Sequence, residues 1–309
     1  MSAGTTHPDQ IPLPQQAAPS RFTALLWGLL GLCIWSGSFV LTRFGVKSSL
    51  TAYDIIALRF STGGLLLLPV LFKTGLGLDR LGRSGFILLV CGAGAPYALL
   101  TAIGLRFAPA SQAAALTPGL MTVLVALFGI FLLKEILPKR GWLGIVLILS
   151  GAFAVASQSF ESGQSYGHLA FFTAAILWAA YVISVRRSGI SALHATALAA
   201  VISAIFYLPL YLVFFDKNIT TAPLNDIITQ AVYQGIFTTI IGLVAFNRAV
   251  AGLGAAAGSA LSSLIPVVTM ILGIIFLQEM PSLTELAATI LIISGVLCLT
   301  LVRKPLKSK

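Results

Sequence analysis

"FLLKEILPKRGWLGIVLILSG" (Phe131–Gly151) and "IFLQEMPSLTELAATILIISG" (Ile275–Gly295) are two versions of one passage. At a shift of 144 residues, Gly129, Ile130, Leu133, Glu135, Leu147, Ile148, Ser150 and Gly151 fall on Gly273, Ile274, Leu277, Glu279, Leu291, Ile292, Ser294 and Gly295 without a gap. The matched Glu135 and Glu279 matter most, because apolar composition alone rarely repeats a charge. A fainter echo joins "IWSGSFVLTR" (Ile34–Arg43) to "LWAAYVISVR" (Leu177–Arg186) at a shift of 143, setting Trp35 on Trp178 and Arg43 on Arg186. The chain therefore reads as two nearly collinear halves.

Of its 309 residues, 58% are hydrophobic and 9% charged, whereas a soluble chain carries roughly a quarter charged residues. This is the composition of a polytopic membrane protein. A hydrocarbon core about 30 Å thick takes roughly 20 apolar residues per helix. Nine stretches without Asp, Glu, Lys or Arg reach or approach that length, from Phe22–Thr42 to Leu286–Val302, and a tenth, Ile55–Phe72, is interrupted only by Arg59. The expected fold is all-α, with ten transmembrane helices: five in residues 22–158 and five in residues 166–302. A disordered cytoplasmic tail (1–21) precedes them and a basic cytoplasmic tail (303–309) follows. Five is odd, so the second set starts on the opposite side of the membrane, and the halves form an inverted repeat.

With ten spans and the N-terminus inside, fourteen of the nineteen Lys and Arg fall on the cytoplasmic side. Arg43, Lys47, Arg106 and Lys217 fall outside, and Arg59 lies within a span. That bias places both termini in the cytoplasm. The net charge of +10 is then topogenic and does not imply a nucleic-acid partner. Cys33, Cys91 and Cys298 all lie within spans, so no disulfide framework is expected. The N-terminal stretch lacks the basic start and cleavage site of a signal peptide. No GxxxxGK[ST] phosphate loop occurs, and "GAG" (92–94) is buried in a span. No cofactor and no metal are expected.

Inverted repeats related by an axis in the membrane plane characterise secondary transporters, because exchanging the conformations of two similar halves moves the opening from one side to the other. The residues carry a more specific likeness. "LLWGLLGLCIWSGSFV", "ALRFSTGGLLLLP" and "GLRFAPASQAAALTPGLMTVLVALFGIFLLKE", with a second copy in "FNRAVAGLGAAAGSALSSLIPVVTMILGIIFLQE", resemble the EamA-like branch of the drug/metabolite transporter superfamily over roughly Leu25 to Val302. The resemblance implies a bacterial inner-membrane carrier of small organic metabolites, an exporter of amino acids or related compounds. The alternative it leaves is a lipid-linked substrate flippase or a quaternary-amine or drug exporter of the same fold. It also implies that the first four helices of each half line the pathway while the fifth braces it, with a face open to a homodimer. The expected partners are a small-molecule metabolite and membrane lipid. An intramembrane enzyme would need paired catalytic groups at membrane depth, and the sequence offers only Arg59 and scattered hydroxyls.

Candidate pathway residues are Trp35, Ser38, Arg59, Tyr97, Gln112, Trp178, Tyr181, Gln234 and Asn247. Trp35 and Trp178 sit well inside their spans at equivalent positions, unlike interfacial anchors. Arg59 is either a snorkelling anchor or an intramembrane charge facing a carboxylate or phosphate. Pro96, Pro118 and Pro266 are candidate helix breaks or gating points, since a broken helix needs other partners for its backbone. Gly254 and Gly258 have the spacing of close helix packing. Glu135 and Glu279, at the ends of the fourth and ninth spans, are expected to bond nearby backbone or loop groups. His168 and His194 lie near span ends without metal-ligand spacing.

Overall fold

The structure, a computed structural model, describes residues 19–157 and 163–301. Among them ten helices are long and apolar enough to cross a bilayer: α1 (Arg21–Lys47), α2 (Ala52–Thr74), α3 (Leu78–Phe107), α4 (Ala110–Leu133), α5 (Lys139–Ser157), α6 (Ser165–Ser188), α7 (Ala192–Phe214), α8 (Leu224–Leu253), α9 (Ala260–Leu277) and α10 (Leu283–Thr300). The chain is an all-α integral membrane protein. The tails expected over residues 1–21 and 303–309 lie outside the described residues, apart from the last three residues of the first.

The helices present large apolar side chains outward, among them Phe72, Phe153, Phe214 and Leu283. In lipid every backbone group must be satisfied internally, which is why these segments are helical and why each break in them needs a partner from elsewhere. Their ends are closed by side chains. Thr51 and Asp54 form a capping box at the start of α2, and Ser282 with Glu285 does so at α10. Each box satisfies two otherwise orphaned N–H groups. Asp54 also accepts from the Tyr211 hydroxyl at 2.6 Å and from the Asn218 N–H at 3.1 Å, so it is occupied well away from Arg59.

Three spans depart from regular geometry. In α3 the helix breaks at Gly94 (φ −96°, ψ −152°), and the freed N–H of Ala95 donates to Ser203 Oγ of α7 at 2.8 Å. A Cβ at Gly94 would lie 2.1 Å from that oxygen, so only glycine fits. Pro96 opens the next segment, where a missing N–H costs nothing, and its ring is exposed. In α8, residues Ala231–Ile241 are π-helical, a form usually limited to single turns. In α9 a lead-in helix, Ala255–Ser262, gives way to Ile265–Leu277, and the buried Pro266 sits in the first turn of the second piece. Pro118, by contrast, is half-buried in an unbroken α4, where Thr122 Oγ1 donates to its carbonyl. The glycine spacing is corrected. Gly254 takes φ +89° and ends α8 rather than forming a packing face, and Gly258 packs on Val250 of the preceding helix.

The packing follows an exchange rule. α1 lies against α8 and α9, while α6 lies against α3 and α4; α2 packs on both α7 and α8, and α7 on α3; α4 meets α9; and α5 meets α10. Swapping the first five helices for the last five turns this set of contacts into itself. It holds at residue level in the α5–α10 pair. A Cβ on Gly144 would meet the Gly295 carbonyl oxygen at 2.7 Å, and one on Gly151 would meet the Ala288 carbonyl oxygen at 2.7 Å. By the shift of 144, Gly144 matches Ala288 and Gly151 matches Gly295, so the two close approaches are one contact seen from either half.

Candidate functional site

The interface between the halves is tied by two ion pairs. Arg43 Nε donates to Glu279 Oε1 at 2.7 Å, Arg43 Nη1 donates to the Leu105 carbonyl at 2.6 Å, and the Ala110 N–H donates to Glu279 Oε2 at 3.1 Å. The pair thus joins α1, the α3–α4 turn and the end of α9. The second pair is Arg186 with Glu135. Arg186 is the repeat equivalent of Arg43, and Glu135 of Glu279, so each half supplies the arginine for the other half's glutamate. Glu279 thus takes the backbone N–H expected of it as well as an arginine that was not expected, and Glu135 likewise pairs with an arginine.

Local geometry explains how the glutamates are aimed. Lys134 (φ 54°) and Gln278 (φ 57°) both adopt the left-handed conformation that ends α4 and α9. The following N–H groups reach back six residues, Glu135 to the Gly129 carbonyl at 3.1 Å and Glu279 to the Gly273 carbonyl at 3.2 Å, one residue further than the closing bond of a Schellman ending. Left-handed geometry costs a non-glycine residue about 1–2 kcal/mol. The same strained turn recurs at both ends of the interface, immediately before the paired glutamate.

The candidate pathway residues separate into groups. Tyr97 and Trp178 lie with ring centroids 4.8 Å apart, and Trp178 meets Tyr181 edge-on at 5.2 Å, giving an aromatic cluster between α3 and α6. Arg59 is within electrostatic reach of Tyr97. Its guanidinium lies 5.6 Å from the Phe60 ring, and its Nε is buried without a hydrogen-bond partner. Among the described residues no carboxylate pairs with it. Trp35 packs on Phe246 of α8 at 5.4 Å, beside a cleft of about 10 Å³, room for about one water. Each tryptophan therefore packs on the third span of the other half.

Ser38 and Gln234 bond one another. Ser38 Oγ donates to Gln234 Oε1 at 2.9 Å, and Gln234 Nε2 donates to Thr42 Oγ1 at 2.9 Å, locking α1 to the π segment of α8. Asn247 is exposed on α8. Gln112 lies away from the aromatic cluster, buried between His168 and Glu285 at a cavity of about 250 Å³. Sequence reading missed Glu285 and set His168 aside. They lie 173 and 56 residues from Gln112, and no local spacing announces their meeting.

Ten helices packed by an exchange rule, with a charged seam between two halves, define the class of a polytopic membrane transporter. The EamA-like transporter family model matches residues 22–157 and again 165–301. The chain belongs to the EamA-like transporter family. It is 28% identical over 282 residues to "Uncharacterized transporter YyaM" of Bacillus subtilis (strain 168), covering 87% of this chain and 91% of that protein. It is 25% identical over 288 residues to a "Probable terminal-alkyne amino-acid exporter" of Streptantibioticus cattleyicolor, covering 90% and 93%. A crystal structure aligns over 91% of this chain and 98% of its own with a TM-score of 0.62 at 22% identity, a likeness of fold.

Proposed function

We infer that this chain is a secondary transporter that exports small organic metabolites, amino acids or related compounds, by alternating access between two inverted halves. Both termini lie in the cytoplasm of a bacterial inner membrane. The observation that carries this reading is the crossed pair of ion bridges. A carrier must close one side while it opens the other, and two equivalent contacts at opposite ends, each made between halves, are the means to do so. Arg59 supports a substrate with a carboxylate. A guanidinium at membrane depth is costly without a counter-ion, and a bound carboxylate would supply one. The Tyr97, Trp178 and Tyr181 rings offer the apolar wall beside it. The name of the Streptantibioticus relative supports the amino-acid class.

The test is counterflow of pooled radiolabelled amino acids in proteoliposomes. Saturable exchange is expected in the wild type, with weakened affinity for carboxylate-bearing compounds in Arg59→Gln. No exchange by folded protein overturns the metabolite reading. Unchanged affinity and rate in Arg59→Gln would make that residue a snorkelling anchor.

A further inference from the structure

The cavity of about 250 Å³ lies at the end of the bundle that carries Arg43 and Glu279, the outer side in the orientation proposed above. Gln112 and Glu285 line it, with His168 behind Gln112, and the capping box that Glu285 closes on Ser282 accounts for only one of its carboxylate oxygens. His168 on α6, Gln112 on α4 and Glu285 on α10 are each more than nine-tenths buried. His168 Nε2 lies 2.6 Å from Gln112 Oε1, so Nε2 is the donor. Gln112 Nε2 donates to Glu285 Oε1, and the Ser282 N–H donates to Glu285 Oε2 at 2.9 Å. His168 Nδ1 is buried without a partner. Among the described residues no cation pairs with Glu285, since Arg43 is engaged by Glu279.

This network is one-sided. At the shifts that relate the halves, His168, Gln112 and Glu285 fall on Leu25, Ala256 and Gly141. The other end of the repeat is built without any of the three, and the capping of α10 uses only Glu285 Oε2, so the chain from Glu285 Oε1 through Gln112 to His168 goes beyond what the helix ends need. A buried polar network that packing does not need is kept at a cost in desolvation.

We propose that Glu285, with Gln112 and His168, is a proton-binding site that couples this transporter to the proton gradient, loaded from the outer side through the cavity. The proposal rests on the transport reading. As described, the network carries one proton, on His168 Nε2, and Glu285 is a carboxylate. A second proton binds Glu285 Oε1. The Gln112 amide then turns over, so that its oxygen accepts from the new O–H and its Nε2–H donates to His168 Nε2, whose ring proton moves to Nδ1. One proton is gained, every bond in the chain is re-formed with reversed polarity, and no charge remains buried. The amide belongs to the first half and its two partners to the second, so the proton state is read at the interface that moves.

The surrounding charges set the sign of the coupling. Glu279 lines the same cavity, and Arg43 reaches Glu279 from α1. Packed along α10, α5 brings charge only through Lys139 and Arg140, at its opposite end, and α6 only through Arg186 and Arg187 at its far end. Neutralising Glu285 removes one of the two carboxylates at that cavity and leaves Glu279, the one bonded to Arg43, as the remaining negative charge there. Proton uptake from outside therefore tightens the outer ion pair and closes that side, the step that carries the proton inward.

Infrared difference spectra of the purified full chain in lipid, taken as the pH is lowered without substrate, test the site directly. A buried carboxylic-acid C=O band is expected, and it is absent from Glu285→Gln. A band that persists in that variant overturns the proposal. Should Glu285→Gln fail to fold, Gln112→Leu decides: loss of the acceptor moves the band to higher frequency, and an unmoved band overturns the proposal. In proteoliposomes, one-for-one exchange against a gradient of about one pH unit concentrates labelled amino acids about tenfold on the acid side. In Glu285→Gln that accumulation falls to the level seen without a gradient, and its retention overturns the proposal. Failure of wild-type counterflow would strike the transport reading, while the infrared band in substrate-free protein still judges the proton site.

Discussion

Glu279→Gln removes the charge of the outer ion pair and leaves an oxygen for the Ala110 N–H. The pair is 2.7 Å long with its side chains only 10% and 20% exposed. Losing one partner of a buried pair costs about 3–5 kcal/mol, and the part-exposed glutamate puts this case near about 3 kcal/mol. At the inner end, Glu135→Gln breaks a pair whose arginine is 34% exposed. Solvent screening brings that pair into the range of exposed bridges, at most about 1 kcal/mol. The difference is about 2 kcal/mol, and at 1.4 kcal/mol per tenfold it amounts to about thirtyfold in an opening equilibrium. The assay is the rate at which an impermeant maleimide labels a reporter cysteine, Ser111→Cys in the outer cavity or Ser188→Cys beside Arg186, with the native cysteines replaced. Glu279→Gln should accelerate labelling at the outer reporter about thirtyfold more than Glu135→Gln accelerates it at the inner one. Arg43→Gln combined with Glu279→Gln should cost less than the sum of the two single changes. Equal acceleration at both ends, or none at the outer reporter, would refute the assignment of the outer pair as the stronger closure.

Two further expectations concern the scaffold. Gly295→Ala places a Cβ 2.6 Å from the Gly144 carbonyl oxygen, so α5 and α10 must separate; overpacking of this kind costs about 1–3 kcal/mol. Thermal unfolding in detergent should begin at a lower temperature, and an unchanged midpoint would count against the close approach. Ser203→Ala strands the buried Ala95 N–H at the break in α3, a loss of about 1–3 kcal/mol. A larger residue that keeps the hydroxyl, Ser203→Thr, should retain more of the stability than alanine does; if the two fall equally, the bond is not what holds the break.

The span count was legible because lipid asks for a single property over about twenty residues, and the chain supplies it ten times. The repeat was legible through Glu135 and Glu279, and the arginines were matched as well. What the sequence withheld was that the two matches belong to one contact. An alignment pairs equivalent positions, whereas the fold pairs each position with the equivalent of its partner. The aromatic cluster was half legible: Trp178, Tyr97 and Tyr181 were named together and meet, while Trp35 packs elsewhere. Ser38 and Gln234 have the chemistry of ligand contacts, yet they satisfy one another and Thr42. The prolines marked chain breaks in α3 and α9, but the break at Gly94 depends on Ser203, a hydroxyl 108 residues away. Such distant pairings leave no period to read.

The strained turns at Lys134 and Gln278 and the charges that follow them carry one more consequence. Within either half, the arginine and the glutamate stand at opposite ends of the bundle and can never meet. A half on its own lacks the arginine that its glutamate meets in the whole chain and the glutamate that its arginine meets. Each of these ion bridges exists only because the two halves are joined in one chain.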